Sequence, residues 1–328
     1  MSRTAVSRVL RVGVTALLVG WVVMTVEWGE FGRTVAGTDP VYLTLALVVS
    51  PLLVLVNTWK WRILLEPLGV RGRFGTCFQL YLLSKFFNNV LPTHVGGDVL
   101  RGVMLGRSQG RTAATLASVA VERATGLVAL LLVALGVLAW DRGAVFPPFV
   151  LWGALAAVGA LGVAVVLVLS PEILARIQAR AHLPLLGKLG RFQASVQTYK
   201  GHGRPLAAAF AISFLFYALA VANVYLAARA FGAPLGPTEA AVATPVIMVI
   251  MLFPVSVGGI GLTEWAYIFV LGLFGVGSEA ALSTALLMRA KALLLGLAGG
   301  LLYMARKELS PREISDLARE PAAASPGD

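Results

Sequence analysis

Residues 85–101 read KFFNNVLPTHVGGDVLR and residues 253–264 read FPVSVGGIGLTE, two apolar stretches in which Gly-Gly follows four residues after Pro. Pro lacks a backbone N–H and stops an incoming helix, and Gly-Gly permits a turn that other residues resist. Each stretch therefore predicts two half-helices joined by a turn, which is a re-entrant hairpin. The predicted turn residues are Pro92, Gly96 and Gly97 in the first hairpin and Pro254, Gly258, Gly259 and Gly261 in the second.

The composition around these stretches is that of a membrane protein. Of the 328 residues, 58% are hydrophobic and 13% are charged, and the mean hydropathy is +0.83. A soluble domain carries about twice that share of charge and cannot hide so many apolar residues from water. The predicted fold class is therefore all-α and polytopic, with helices that cross a lipid bilayer. Apolar runs of spanning length lie at about 9–26, 41–59, 112–139, 147–170, 205–231 and 279–305.

Basic residues set the orientation, because short cytoplasmic loops are enriched in Lys and Arg. The loop after the first run is mostly acidic and is predicted to face outward. The next loop carries Lys60, Arg62, Arg71 and Arg73 and is predicted to face inward. On this assignment 19 of the 27 Lys and Arg residues are cytoplasmic and three are outside. The sequence thus predicts a multi-pass protein of the cytoplasmic (inner) membrane, with both termini inside.

The same assignment makes the two hairpins enter the membrane from opposite sides. The order span, span, hairpin, span occurs twice, in halves at about 8–140 and 147–307. Two such halves of opposite orientation are the layout of an inverted-repeat transporter, whose site lies near the midplane. If each hairpin crosses the bilayer instead, the count becomes eight spans. Residues 1–309 are expected to form one integral membrane domain, followed by a disordered cytoplasmic tail at 310–328.

Two segments admit a second interpretation. Residues 1–26 also fit a signal peptide, but its removal would delete the first span of the repeat, so we predict a span. Residues 171–204 are consistent with an amphipathic helix on the inner leaflet and equally with a solvated basic loop.

Eight ionisable residues are predicted to lie at membrane depth, where such residues are costly and by default functional or paired. The cations are Lys85, Arg101, Arg123, Arg289 and Lys291, and the acids are Asp98, Glu122 and Glu264. Asp98 and Arg101 can meet on one helix face, whereas Arg289 and Lys291 point to different sides. If each acid pairs with one cation, two cations remain, and a buried surplus of cations requires an anion.

Lipid phosphate is the nearest anion in a membrane, and the helix N-termini at the hairpins would add partial positive charge to attract it. The predicted lipid or anion site comprises Lys85, Asn89, Arg101, Arg123, Arg289 and Lys291, with Asp98, Glu122 and Glu264 as charge partners. We expect no enzyme activity, metal or cofactor. The single cysteine, Cys77, the scattered histidines and the missing phosphate-binding loop motif favour neither catalysis nor metal binding nor ATP hydrolysis. Nucleic acid is not an expected partner, because the basic residues lie in short loops.

At these residues the chain resembles the lysylphosphatidylglycerol synthase transmembrane-region family, also called flippase-like or UPF0104 proteins. The resemblance covers about residues 8–307. The residues that carry it are Asn89–Pro92, Gly96–Asp98, Arg101, Glu122, Arg123, Gly126, Pro254, Gly258, Gly259, Gly261 and Glu264. It implies a membrane domain that binds or translocates a phospholipid or a polyprenyl-phosphate-linked lipid. Some members add a soluble aminoacyltransferase domain, but this chain ends shortly after its last predicted span. We therefore expect no synthase activity.

The expected function is that of a lipid flippase or translocase, with an anionic lipid bound at a midplane cavity. Two alternatives remain open. In the first alternative, the chain is a non-transporting subunit that presents lipid to a separate membrane-associated glycosyl- or aminoacyltransferase. In the second, it is an ion-coupled transporter of a small polar solute. The expected partners are membrane lipids and, in the first alternative, that transferase.

Overall fold

The computed structural model describes residues 3–90, 96–141, 201–253 and 255–306, together with residues 156, 159, 197 and 199. All regular elements in these residues are helical, which confirms the predicted all-α class. The helices are α1 (Arg3–Thr25), α2 (Trp28–Ala36), α3 (Pro40–Leu65), α4 (Phe74–Val90), α5 (Gly96–Arg107), α6 (Thr112–Asp141), α7 (Gly203–Ala230), α8 (Pro237–Ile250), α9 (Leu262–Gly272) and α10 (Ser278–Arg306). Most of the predicted span at 147–170, most of the segment 171–204 and the whole tail at 310–328 lie outside the described residues.

Four of the described helices are long and apolar enough to cross a membrane. Their spanning segments are Pro40–Leu68, Thr112–Val137, Gly203–Ala230 and Ser278–Leu302, and they match four of the predicted runs. The pair α1 and α2, bent by 79°, qualifies together as a fifth. A multi-pass membrane protein is thereby confirmed. Helix α2 itself was not predicted, because its segment was assigned to an outer loop.

The described helices that are too short to cross the hydrocarbon core alone include α5, α8 and α9. Helices α5, α8 and α9 contain 12, 14 and 11 residues, so at about 1.5 Å per residue they are about 17–21 Å long. The hydrocarbon core is about 30 Å thick. These short helices occupy the two segments where Pro and Gly-Gly interrupt the apolar pattern, so the predicted breaks are real. Pro92 and Pro254 themselves lie outside the described residues.

The turn before α9 depends on glycine. Gly258, Gly259 and Gly261 have φ values of 59°, 71° and 79°, in the left-handed region that other residues rarely adopt. Gly261 also lies against α1, where an added Cβ would come within 2.8 Å of the Leu18 Cβ. The turn therefore needs glycine for its backbone conformation and for its close contact with the first helix.

Two separate apolar cores lie in the two halves of the chain. One core is built mainly from α3, α4, α5 and α6 and includes Trp61, Tyr81 and Leu105. The other is built mainly from α7, α8, α9 and α10, with the end of α1. The most extensive helix contacts then join the halves, α3 along α7 and α4 along α10.

The contact between α4 and α10 depends on small residues. A Cβ at Gly299 would overlap the carbonyl oxygen of Leu82, and one at Gly300 would lie 2.9 Å from the Phe86 ring. At Gly296 an added Cβ would lie 2.6 Å from the Asn89 amide nitrogen. This stretch of α10 therefore allows close helix packing.

Four consecutive helices recur in order and approximate length. The starts of α3 and α7 are separated along the chain by the same interval as the starts of α4 and α8. A slightly larger interval separates the starts of α5 and α9, and the same larger interval separates those of α6 and α10. The chain interval between corresponding helices therefore increases between the first and the second helix of the hairpin. The second hairpin is slightly longer than the first, and the spacing between successive helices on either side of the hairpin is the same in both halves.

Candidate functional site

Four charged residues of α5 and α6 form one cluster, called here the ion cluster: Asp98, Arg101, Glu122 and Arg123. The Arg101 Nε donates to Asp98 Oδ1 at 3.1 Å, and its Nη2 donates to Glu122 Oε2 at 2.7 Å. Arg123 pairs with the second carboxylate oxygen of Asp98. The predicted i, i+3 pair of Asp98 and Arg101 is thus present, and both acids have arginine partners.

Other residues of the described part of the chain enclose the Arg101 side chain. Its guanidinium lies between the rings of Trp61 and Tyr81, at 4.4 and 4.3 Å from their centroids, and the residue is 1% exposed. The Tyr81 hydroxyl donates to Glu122 Oε1 and the Ser84 hydroxyl donates to Asp98 Oδ1, each at 2.9 Å. Arg101, a member of the predicted lipid or anion site, is in this structure an internal cation that binds the two buried carboxylates predicted as charge partners.

Lys60 is a buried cation that the sequence analysis placed wrongly. It was assigned to an inward-facing loop, but α3 continues to Leu65 and Lys60 is 3% exposed within it. Its Nζ donates to the backbone carbonyl of Glu122 at 3.0 Å. The error arose because the apolar run was ended at the first lysine, although a lysine can extend a membrane helix when its ammonium finds a partner.

A second ion pair joins α9 to α10. The Arg289 Nε donates to Glu264 Oε1 at 2.8 Å, and Nη2 donates to the Gly259 carbonyl at 3.1 Å. The other oxygen of Glu264 accepts the Gly261 N–H at 2.8 Å. The N-terminus of α9 was predicted to attract an external anion, but its own carboxylate satisfies it.

The first hairpin has a related arrangement at the start of α5. The Asn88 side-chain carbonyl accepts the Gly97 N–H at 2.9 Å, and Asp98 lies in the first turn of the helix. Gly96 begins that helix. Both short helices therefore start with an internal carboxylate that pairs with an arginine of the long helix that follows.

A cavity lies between the two halves and is lined by residues of α3, α4, α7 and α10. Its volume is about 180 Å³, and it is partly open to the outside. Its polar lining residues are Ser50, Asn57, Lys85, Asn223 and Lys291. A mostly apolar lining with a few polar groups is typical of a ligand-binding cleft.

Lys85 and Lys291 are the two cations of the predicted set that have no carboxylate partner in the described part of the chain. The Lys291 Nζ donates to Asn223 Oδ1 at 2.7 Å and to the Ala46 carbonyl at 3.4 Å. Lys85 makes no hydrogen bond to any described residue, and its Nζ lies 5.9 Å from the Tyr81 ring centroid. The two surplus cations expected from counting charges thus lie on the lining of one cavity.

The structure divides the six predicted binding residues among four places. Arg101 and Arg123 belong to the ion cluster, and Arg289 belongs to the second pair. Asn89 donates from its amide to the Ala292 carbonyl at 3.0 Å, which fastens α4 to α10. Only Lys85 and Lys291 line the cavity.

Sequence reasoning missed the two asparagines of the cavity. Asn57 lies in α3 and Asn223 lies in α7, and their separation along the chain is close to that of the two Pro and Gly-Gly patterns. A comparison of the halves at the 162-residue spacing of those patterns would not have paired the two asparagines, which are 166 residues apart, and asparagine alone is too common in helices to mark a site.

These features together define a polytopic helical membrane protein that holds ion pairs in an apolar bundle and keeps two cations at an internal cavity. The chain belongs to the family described as lysylphosphatidylglycerol synthase TM region, whose family model matches residues 8–300. The family predicted from the sequence is therefore confirmed.

Similar proteins carry the general name UPF0104 membrane protein. One from Methanothermobacter thermautotrophicus is 23% identical over 303 residues, which are 84% of this chain and 86% of the relative. A second from that organism is 24% identical over 289 residues, or 81% and 84% of the two chains. One from Methanocaldococcus jannaschii is 28% identical over 76 residues, 23% of each chain. The similarity to the first two extends over most of both chains.

Proposed function

We propose that this protein binds an anionic membrane lipid and moves it across the bilayer, with the headgroup phosphate held between Lys85 and Lys291. The observation that carries the proposal is the position of these two cations, one from each half, on a single cavity. A buried ammonium without an anionic partner is costly, and a phosphate would offset that cost through charge-assisted hydrogen bonds. The proposed ligand is a phospholipid or a polyprenyl-phosphate-linked lipid.

The family supports a lipid-related role in the membrane, since it is described by a lipid synthase's membrane region. The proposed role involves no covalent step. The lipid tails would stay in the bilayer while the headgroup passes through the cavity. A transferase that receives the lipid would be a separate protein.

Translocation, beyond binding, is proposed from the organisation of the two halves. The recurring helix spacing supports a repeat, and the distribution of Lys and Arg supports opposite orientations of its halves, with cytoplasmic termini in an inner membrane. The short helices α5, α8 and α9 support re-entrant hairpins. A cavity between inverted halves can open to either side by a small rotation of one half.

Binding can be tested with Lys85→Gln, Lys291→Gln and the double variant. Each charge-assisted hydrogen bond lost should remove about 1.5–3 kcal/mol, so we expect about tenfold or greater weakening of phosphatidylglycerol binding per lysine. Native mass spectrometry of the detergent-purified protein would measure the retained lipid. The matched control is Arg62→Gln, which removes an exposed cation of α3. Unchanged binding in the double variant would contradict the proposed site.

Transport can be tested in proteoliposomes that contain a fluorescent anionic lipid in both leaflets. Dithionite added outside quenches only the outer leaflet, so an active translocase should allow quenching beyond that half. We expect loss of this extra quenching in the double lysine variant. If the wild-type protein binds the lipid but does not translocate it, the lipid-presenting subunit is favoured. If it takes up a soluble substrate and binds no lipid, the solute transporter is favoured.

A further inference from the structure

The two ion pairs of the hairpins occupy equivalent positions. Asp98 and Arg123 are 25 residues apart, and so are Glu264 and Arg289. The interval from one pair to the other is therefore the same for the acids as for the arginines, and it equals the interval between the starts of α6 and α10. Each pair joins the first turn of a short helix to the long helix that follows. These two pairs, called here the equivalent pairs, are the same contact made once in each half.

Within both equivalent pairs the acid is buried and the arginine is accessible. The side chains of Asp98 and Glu264 are 3% and 10% exposed, whereas those of Arg123 and Arg289 are 57% and 26% exposed. Each arginine can therefore be reached by an external anion more easily than its carboxylate partner can. The arginines are thus the mobile partners, and the acids are the fixed ones.

Each acid also keeps a second partner when its arginine leaves. Asp98 still accepts hydrogen bonds from Arg101 and Ser84, and Glu264 still accepts the Gly261 N–H. A buried carboxylate stripped of all partners would cost several kcal/mol. The remaining hydrogen bonds lower that cost, so both pairs can separate without unfolding the hairpin.

Each equivalent pair lies close to a cavity lysine along the chain. Arg289 precedes Lys291 by two positions on α10. Ser84, whose hydroxyl donates to Asp98, directly precedes Lys85 on α4. A backbone shift that accompanies separation of either pair would therefore reach one of the two cavity lysines.

We propose that Asp98–Arg123 and Glu264–Arg289 are equivalent gates that close the two sides of the cavity and separate one at a time. This inference rests on the proposed function, because the gates lie on opposite sides only if the halves are inverted. When a pair separates, its arginine becomes available to the phosphate of a lipid on that side. The other pair stays closed, so the cavity is never open to both sides at once.

The test uses the full chain and a reporter cysteine in the cavity. Cys77→Ala removes the only cysteine of the sequence, and Leu53→Cys then places one thiol on the cavity lining. A membrane-impermeant maleimide is applied to right-side-out and to inside-out vesicles. We expect Arg123→Gln to raise the modification rate several-fold from the cytoplasmic side only, and Arg289→Gln to raise it from the outer side only.

A second variant at each pair separates gating from damage to the fold. Glu264→Gln should raise the modification rate from the same side as Arg289→Gln does. Arg123→Lys keeps the positive charge and should therefore show the low cytoplasmic-side rate of the wild type. The matched control is Arg33→Gln, which breaks the exposed Glu30–Arg33 pair and should leave both rates unchanged. The proposal would be overturned if Arg123→Gln and Arg289→Gln raised the modification rate from the same side. It would also be overturned if both variants folded normally and left the rate unchanged.

The result is independent of lipid binding. If the rates respond as expected but Lys85→Gln and Lys291→Gln bind phosphatidylglycerol normally, the gates stand and the lipid site fails. If the lysine variants lose lipid and the gate variants leave both rates unchanged, the lipid site stands and the gates fail.

Discussion

Asp98 binds two arginines that stand in different surroundings. Arg101 is enclosed between two aromatic rings and also binds Glu122, whereas more than half of the Arg123 side chain is exposed. The same type of ion pair therefore has two different energetic roles. The internal arginine neutralises two buried acids, and the accessible one adds a contact whose value is reduced by screening.

Arg101→Ala should destabilise the protein far more than Arg123→Ala. Removal of Arg101 leaves Asp98 and Glu122 buried with weaker partners, at a cost of about 3–5 kcal/mol. Thermal unfolding in detergent would show a large fall in Tm for Arg101→Ala and a small one for Arg123→Ala. Loss of transport in Arg101→Ala would then report unfolding and would say nothing about lipid contact. Equal falls in Tm would contradict the assigned roles.

The sequence could predict that two of the five cations placed at membrane depth lack a carboxylate partner, but it could not predict which two, nor that Lys60 is a further such cation. The i, i+3 spacing of Asp98 and Arg101 is a local property of a helix, so that pair was foreseeable. The partners of Glu122 and Glu264 depend on how helices face one another in three dimensions. The same limit explains Lys60, whose ammonium binds a carbonyl 62 residues away.

Helices α4 and α10 carry the two cavity lysines, so their packing sets the distance between these cations. Glycines at 296, 299 and 300 let α10 approach the backbone of α4, and the Asn89 amide ties the two helices together. Lys85 lies within the stretch of α4 that these glycines contact, and Lys291 precedes them on α10. The geometry of the cavity therefore depends on residues that do not line it.

Gly299→Ala should lower both stability and lipid binding, because the added methyl group would overlap the Leu82 carbonyl and push the helices apart. Overpacking of this kind costs about 1–3 kcal/mol. Gly136→Ala in α6 is the matched control, since its added Cβ has no neighbour within 4 Å. It should be neutral or stabilising by about 0.5–1 kcal/mol. Measurements of Tm and of retained phosphatidylglycerol would compare the two, and similar losses in both would reject a packing role for Gly299.

At this scale the breaks in the helices were predictable and helix α2 was not. Pro and Gly-Gly act locally, so their effect on the hairpins can be inferred from the residues themselves. The segment Trp28–Ala36 contains two glycines and both charges of a surface pair, and it reads as a loop. In the fold it packs against α10, and the Glu27 N–H just before it donates to the Glu279 carboxylate at 3.2 Å. Tertiary contacts of this kind outweigh weak helix propensity.

Across the whole molecule, two cores of similar helix content meet at one cavity. The order and spacing of α3–α6 and α7–α10 are compatible with either a parallel or an inverted repeat, because helix order does not depend on the side of entry. The distribution of basic residues favours inversion. Inversion matters for function, since only inverted halves place the two equivalent pairs on opposite sides of the cavity.

Cysteine labelling of two loops decides between these arrangements. In the Cys77→Ala background, Ser108→Cys marks the connection between α5 and α6, and Thr238→Cys marks the start of α8; both positions are exposed. An inverted repeat predicts that an impermeant maleimide labels position 108 only from the cytoplasmic side and position 238 only from the outer side. Labelling of both from one side would mean a parallel repeat. Both gates would then open to the same compartment, and a headgroup released by either one would return to the leaflet it came from.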